Sequence, residues 1–134
     1  MGRLNDWPER LNAHIDEWRN RPFEWGKSDC ALFCLHAEKA ITGQSRFDDF
    51  LGAYDSDIGS IKALKRFGAG DLISTVGQRL EEIPVSQATR GDVASIDTPE
   101  GDALSLVIGD KVAGLGKEGL LFFPLSSAKK AWRV

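Results

Sequence analysis

No stretch of this 134-residue chain stays apolar for long. Apolar runs such as Leu104 to Ile108 and Gly119 to Leu125 fall far short of the roughly 20 residues that cross a bilayer. Met1-Gly2-Arg3-Leu4 leads straight into polar residues, with no apolar signal segment. Membrane insertion is not expected, and the reading is a soluble chain made in the cytoplasm. Cysteine is scarce: Cys30 and Cys34 are only four apart and cannot build a disulfide framework, so both are read as thiols. A charge excess is missing too. With 17 Lys and Arg against 20 Asp and Glu, interspersed, the net charge of −3 lacks the basic footprint of a general nucleic-acid binder. Repeats, low-complexity segments and linkers are absent, and the length suits one core, so residues 1–134 are read as a single domain.

What is present falls into two regimes. Asp6 offers an N-cap with Pro8 just inside, and Trp7, Leu11, Ile15 and Trp18 form an apolar stripe on a first helix ending near Asn20, with His14 beside it. Residues 21–27 break the period. Ser28 or Asp29 then caps a second helix to about Ile41, stopped by Thr42-Gly43, which puts Cys30 in its first turn. Residues 44–56 read as a loop with a short aromatic helix, followed by a helix from Asp57 or Ser60 to Phe67 and another from Asp71 to Leu80. After Pro84 and the turn at Thr89-Arg90-Gly91-Asp92, strands are predicted at Val93–Ile96, Ala103–Ile108, Lys111–Leu115 and Leu120–Phe123. Ser126 to Lys130 reads as a helical turn before a last strand at Trp132–Val134. Helices first and strands later predict an α+β fold, N-terminal helices packed on a C-terminal antiparallel sheet.

A thiol in the first turn of a helix faces the positive end of the helix dipole, which favours thiolate, so Cys30 is the best nucleophile candidate. The bland alternative is a small buried hydrophobe, and Cys34, one turn on, is read that way. Thiol catalysis also needs a base. Of the two histidines, His36 lies six residues past Cys30 and points about 120° away on the helix, whereas His14 reads as a packing residue. The same rotation argues against a metal, and no cofactor is expected. Gly114-Leu115-Gly116-Lys117 is a hairpin connection rather than a phosphate loop, Arg90-Gly91-Asp92 turns into a strand, and Glu81, Glu82, Asp97, Glu100 and Asp102 read as solvated loop charge.

The segment Phe23-Glu24-Trp25-Gly26-Lys27-Ser28-Asp29-Cys30-Ala31-Leu32-Phe33 resembles the NlpC-type papain-fold cysteine peptidases, in which an aromatic-x-Trp-Gly segment leads into Asp-Cys at a helix start. Trp25-Gly26 and Asp29-Cys30 match, and Arg90-Gly91-Asp92-Val93 matches the family's entry to its sheet. Residues 18 to 134 look most like the small peptidase-like proteins of phage and prophage tail modules, through Gly119-Leu120 to Pro124-Leu125 and a closing Ala131-Trp132-Arg133-Val134. The resemblance implies a papain-like core with Cys30 at the nucleophile position and Asp29 flanking it. It places the catalytic histidine at the start of a strand, six residues before Gly109, where this chain has Ala103. The third polar member falls near Ala113, Gly114 or Leu115, none of which can orient a base. Losing proton transfer costs about 10²- to 10⁴-fold in rate.

Two functions follow as expectations. The first is a structural or assembly protein at a phage tail, at its tip, with a peptidase-like fold that has lost its base, bound to other tail proteins and located in the virion. Exposed aromatics among Trp7, Trp25, Phe122, Phe123 and Trp132 would serve that docking. The alternative is an active cysteine hydrolase of peptidoglycan peptides during phage DNA entry, with Cys30 as nucleophile and His14 or another subunit supplying the base.

Overall fold

The structure, a computed structural model, describes residues 2–134. Four helices, α1 (Trp7–Trp18), α2 (Cys30–Thr42), α3 (Asp57–Phe67) and α4 (Leu72–Arg79), precede six strands. These are β1 (Glu81–Ile83), β2 (Val93–Thr98), β3 (Gly101–Val107), β4 (Lys111–Gly116), β5 (Gly119–Pro124) and β6 (Ala128–Arg133). The fold is α+β, as the patterning predicts. The expected short aromatic helix is a single 3-10 turn at Asp48–Phe50.

Three of the helices begin on a side chain that satisfies a free backbone donor. Asp29, Ser56 and Asp71 accept from the N–H of Leu32, Gly59 and Ser74, each worth about 1 kcal/mol. Asp6 departs from expectation: its carboxylate accepts from Arg10 Nε at 2.9 Å and caps nothing. α2 ends on Gly43, whose φ of 86° lets its N–H turn back to the Lys39 carbonyl.

The sheet order is β1-β6-β2-β3-β4-β5, antiparallel throughout. β2 to β5 form the predicted meander, and Ile108 N bonds to Lys111 O across the Gly109-Asp110 turn. β6 does not extend that meander. It crosses back to lie between β2 and β1, a strand that the sequence reading missed. β6 also starts at Ala128, within the segment expected to be a helical turn, which ends at Ser127. The reason is a bulge: Ser95 pairs with Lys130 but Ile96 with Ala128, so Lys129 is extra and the two-residue alternation that marks a strand is broken there.

α2 is the centre of the molecule. Leu32, Phe33, Leu35 and Ile41 are fully or almost fully buried, each worth about 1.5–3 kcal/mol. They meet α1 through Leu11, Ile15 and Trp18, α4 through Val76, and the sheet through Val93, Leu104, Leu106 and Ala113. The far face of the sheet carries Ala94, Ile96, Val107, Val112 and Ala131, packed under Val85 and Leu125 of two 3-10 turns. Trp132 was expected among the exposed aromatics. It is instead 1% exposed, because β6 is paired on both edges and turns this side chain into the helix layer. Trp7 and Phe123 are partly buried, leaving Trp25 and Phe122 exposed from that set.

The two ends of the described chain meet at Asp92, which is fully buried. Its carboxylate accepts from Arg3 Nη2 at 3.1 Å, Thr89 N at 3.0 Å and Val134 N at 3.0 Å. Arg3 also donates to the Arg90 carbonyl at 2.7 Å and to that of Val134 at 3.2 Å. Gly91, at φ 93°, leaves room for this: a Cβ there would stand 3.0 Å from Arg3 Nη1 and from Ile41 Cδ1. Asp92→Ala should therefore cost about 3–5 kcal/mol, because it strands a partly buried guanidinium and two amides. A urea midpoint close to that of the unmodified chain would refute this role.

Candidate functional site

The loop that carries the Trp25-Gly26 and Asp29-Cys30 pairs is folded onto itself. Glu24 and Ser28 exchange backbone hydrogen bonds at 3.2 and 2.9 Å, and Ser28 Oγ donates to the Pro22 carbonyl at 2.6 Å. Gly26 has φ 80°, and a Cβ on it would run into the Tyr54 carbonyl oxygen, so only glycine fits. Asp29 is the knot. Its buried carboxylate accepts from Leu32 N at 2.9 Å, Gly26 N at 2.9 Å and the Tyr54 hydroxyl at 2.6 Å. Burial, followed by the Asp29 charge, pushes the Tyr54 hydroxyl well above its usual range, so it stays a donor. Of the two candidate caps, Asp29 is the cap and Ser28 the brace.

Cys30 is the first residue of α2 and lies against the main chain of Leu104 on β3. The surroundings disfavour the expected thiolate. Burial, opposed by main-chain hydrogen bonding at Leu104 and aggravated by the Asp29 charge, pushes the Cys30 thiol up to about 11. The helix end is worth about 0.3–1 kcal/mol to an anion, too little against desolvation, and the nearby Leu32 N–H is already committed to Asp29. Cys34, buried one turn on, is raised by burial in the same way and packs in the core.

The histidines lie elsewhere. His14 is buried in the α1 stripe, its Nε2 3.0 Å from the Phe33 carbonyl and its ring stacked on Phe33 at 5.0 Å; burial lowers it to about 4. His36, also lowered by burial, lies near Trp18 at 5.9 Å. Both border a surface depression with Arg10, Glu17, Arg21 and Lys39, separate from the cavity that Cys30 lines. Among the described residues, no three His, Cys, Asp or Glu side chains converge to hold a metal ion.

The expected base position needs a correction. Strand side chains alternate, and Ala103 belongs to the far face of the sheet with Ile96 and Val107. Its neighbours Asp102 and Leu104 face the helices and border the Cys30 cavity. The residue of β3 whose main chain meets the thiol is thus Leu104, whose side chain lines the same cavity, and an imidazole introduced at position 103 would point into the other layer. Of the positions where the third member was sought, Ala113 and Leu115 face the helix core, whereas the bare Cα of Gly114 faces Ile96 and Phe123.

Cys30 and Leu104 border a cavity of about 290 Å³ enclosed by α2, α3, α4 and β3. Its outer wall is held by arginines that the sequence reading did not single out. Arg46 donates to buried Glu38 at 3.0 Å, and Arg79 bonds Asp49 at 2.6 and 2.9 Å as well as the Arg46 and Phe67 carbonyls. Tyr54 was missed as well, inside the segment read as loop. No local period marks any of the three, although the only tyrosine of the chain was the one available signal.

With this geometry in place, the family is clear: the chain belongs to the family described as a domain of unknown function (DUF6950), whose model matches residues 2–134. No curated protein matches it.

Two titrations follow. Alkylation of Cys30 in a Cys34→Ala background should rise with a midpoint near pH 11, far above the unfolded thiol at about 8.5. A midpoint at or below 8.5 would show an activated thiol. His14 is neutral in the fold while the unfolded chain takes up its proton near 6.5, so stability should fall as pH drops from about 6.5 to about 4, by on the order of 3 kcal/mol. His14→Gln should remove that component, and identical acid profiles for the two proteins would refute it.

Proposed function

We propose that this chain is a non-catalytic member of the papain-like, NlpC-type peptidase architecture, working as a structural or assembly component of a phage tail, at its tip. The observation that carries the reading is the pairing of Cys30 with Leu104. A cysteine at the head of α2 abuts the strand that would supply its base, and the side chain beside it is a leucine. A thiol raised by burial and two histidines committed to the α1–α2 side leave the nucleophile position without a histidine base. Docking is then the remaining use of the surface. Phe122 is 39% exposed on the helix side of the edge strand β5 and Leu121 53% exposed on its other side, while Trp25, also exposed, packs edge-on against Phe23, whose N–H donates to the Lys117 carbonyl. Other tail proteins are the partners in this reading, and the virion is the location.

A second reading, a cysteine hydrolase of peptidoglycan peptides, draws on one observation, the cavity that reaches Cys30. It needs a base from a partner.

The two readings separate in one set of experiments. The purified protein should release no product from peptidoglycan peptides by mass spectrometry, and Cys30→Ser in a phage carrying the gene should leave plaque counts nearly unchanged. Phe122→Asp, which places a charge on the exposed patch, should reduce assembled tails by tenfold or more while the protein itself stays folded. Turnover that vanishes with Cys30→Ser would replace the first reading with the second. Normal assembly with Phe122→Asp would remove the docking surface.

A further inference from the structure

The cavity beside Cys30 has a chemistry of its own, independent of any role in a tail. Its walls are apolar, formed by Leu35, Leu64, Leu72, Val76 and Leu104 among others, and at about 290 Å³ it falls at the small end of the range of about 300–1,000 Å³ for ligand sites. Lysine, arginine and histidine are absent from its lining, whereas five carboxylates border it. Asp29 and Glu38 are committed: the first to Gly26, Leu32 and Tyr54, the second to Ser45 and Arg46. The other three, Asp57, Glu100 and Asp102, are exposed. They form no ion pair and their side chains accept no hydrogen bond among the described residues, unlike Asp97, which pairs with Lys129. They also come from two separate elements, Asp57 from the start of α3 and the other two from the β2–β3 hairpin.

α3 is the looser wall. Ala63 is its only fully buried residue, Ile58 is 67% exposed, and Ser60, Ile61 and Leu64 border the cavity. A helix so lightly anchored can yield to a guest without disturbing the α2 core.

We propose that this cavity binds a small amphiphile with an apolar body and a single positive charge, an alkyl- or arylalkylamine. The body fills the space between α3, α4 and Leu104. The ammonium stays at the mouth, facing Asp57, Glu100 and Asp102, where water still solvates it and no buried charge has to be desolvated. The same carboxylates repel a fatty acid of equal length, so the site selects by charge as well as by shape.

The test uses the full chain with three probes of one length, n-octylamine, n-octanol and octanoate, titrated at pH 7 and followed by 15N chemical shifts. Octylamine should shift the amides of Leu64, Val76 and Leu104 and bind about tenfold more tightly than octanol, with octanoate weakest. The preference of amine over alcohol should shrink several-fold in the Glu100→Gln/Asp102→Asn variant, whose two sites are exposed and structurally idle, and likewise on raising the salt. Leu64→Trp, which fills the cavity from the loose wall, should weaken all three probes. The proposal is overturned if octylamine does not bind, if its shifts map away from the cavity, if octanol or octanoate binds equally well, or if the double variant keeps the full preference. None of these outcomes touches the tail reading, which is tested by assembly.

Discussion

A carboxylate taken out of water must be hydrogen-bonded completely or it unfolds its surroundings, and this fold is organised around three of them. Asp92 gathers Arg3, Thr89 and Val134 at one end of the sheet. Asp29 gathers the Trp25-Gly26 loop, the first turn of α2 and Tyr54. Glu38, on the same helix, gathers Ser45 and Arg46, and through Arg46 it reaches Arg79 at the end of α4. Each joins segments far apart in sequence, and each sits where apolar packing alone leaves relative position underdetermined. The apolar core supplies the free energy of collapse, and the buried carboxylates select which collapsed arrangement forms.

The consequence for Cys30 is a contest between two effects of opposite sign. A helix start favours an anion, but the Asp29 knot that creates this start also consumes a free N–H and brings a negative charge beside the sulfur. Burial then outweighs what remains of the dipole. A thiol in that position is chemically quiet unless a cation or a base is delivered to it, and the leucine on β3 delivers neither.

Periodic features were legible from the residues alone. The apolar stripe of α1, the bounds of α2, the Asp29 cap, the glycine stops and the hairpin spacings all appear within one or two residues of their predicted places, because each rests on local backbone chemistry. What escaped depends on long-range placement. Tyr54 and Arg79 act at sequence separations of 25 and 30 from the carboxylates they bind. β6 was shortened by a bulge that hides its alternation, and Trp132, on that strand, was taken for a surface residue. The sidedness of Ala103 was missed by a single residue, since counting along a strand fixes position but a slip of one reverses the face. The chemistry of the cavity mouth was illegible for a similar reason: Glu100 and Asp102 read as loop charge until α3 is placed opposite them.

The position of β6 has a bearing on how the chain acquires its shape as it is made. The ribosome releases this strand after all the others, yet it occupies an interior place in the sheet, between β1 and β2. Until it emerges, β1 has no neighbour to pair with, the inner edge of β2 stays open, and the core lacks Trp132, one of its two largest fully buried side chains. The α1–α2 pair and the β2–β5 meander can form early from local contacts, but closure waits for β6. From the emergence of β2 until β6 follows it, a nascent chain of this protein therefore exposes a ready strand edge, the kind of surface that holding chaperones recognise.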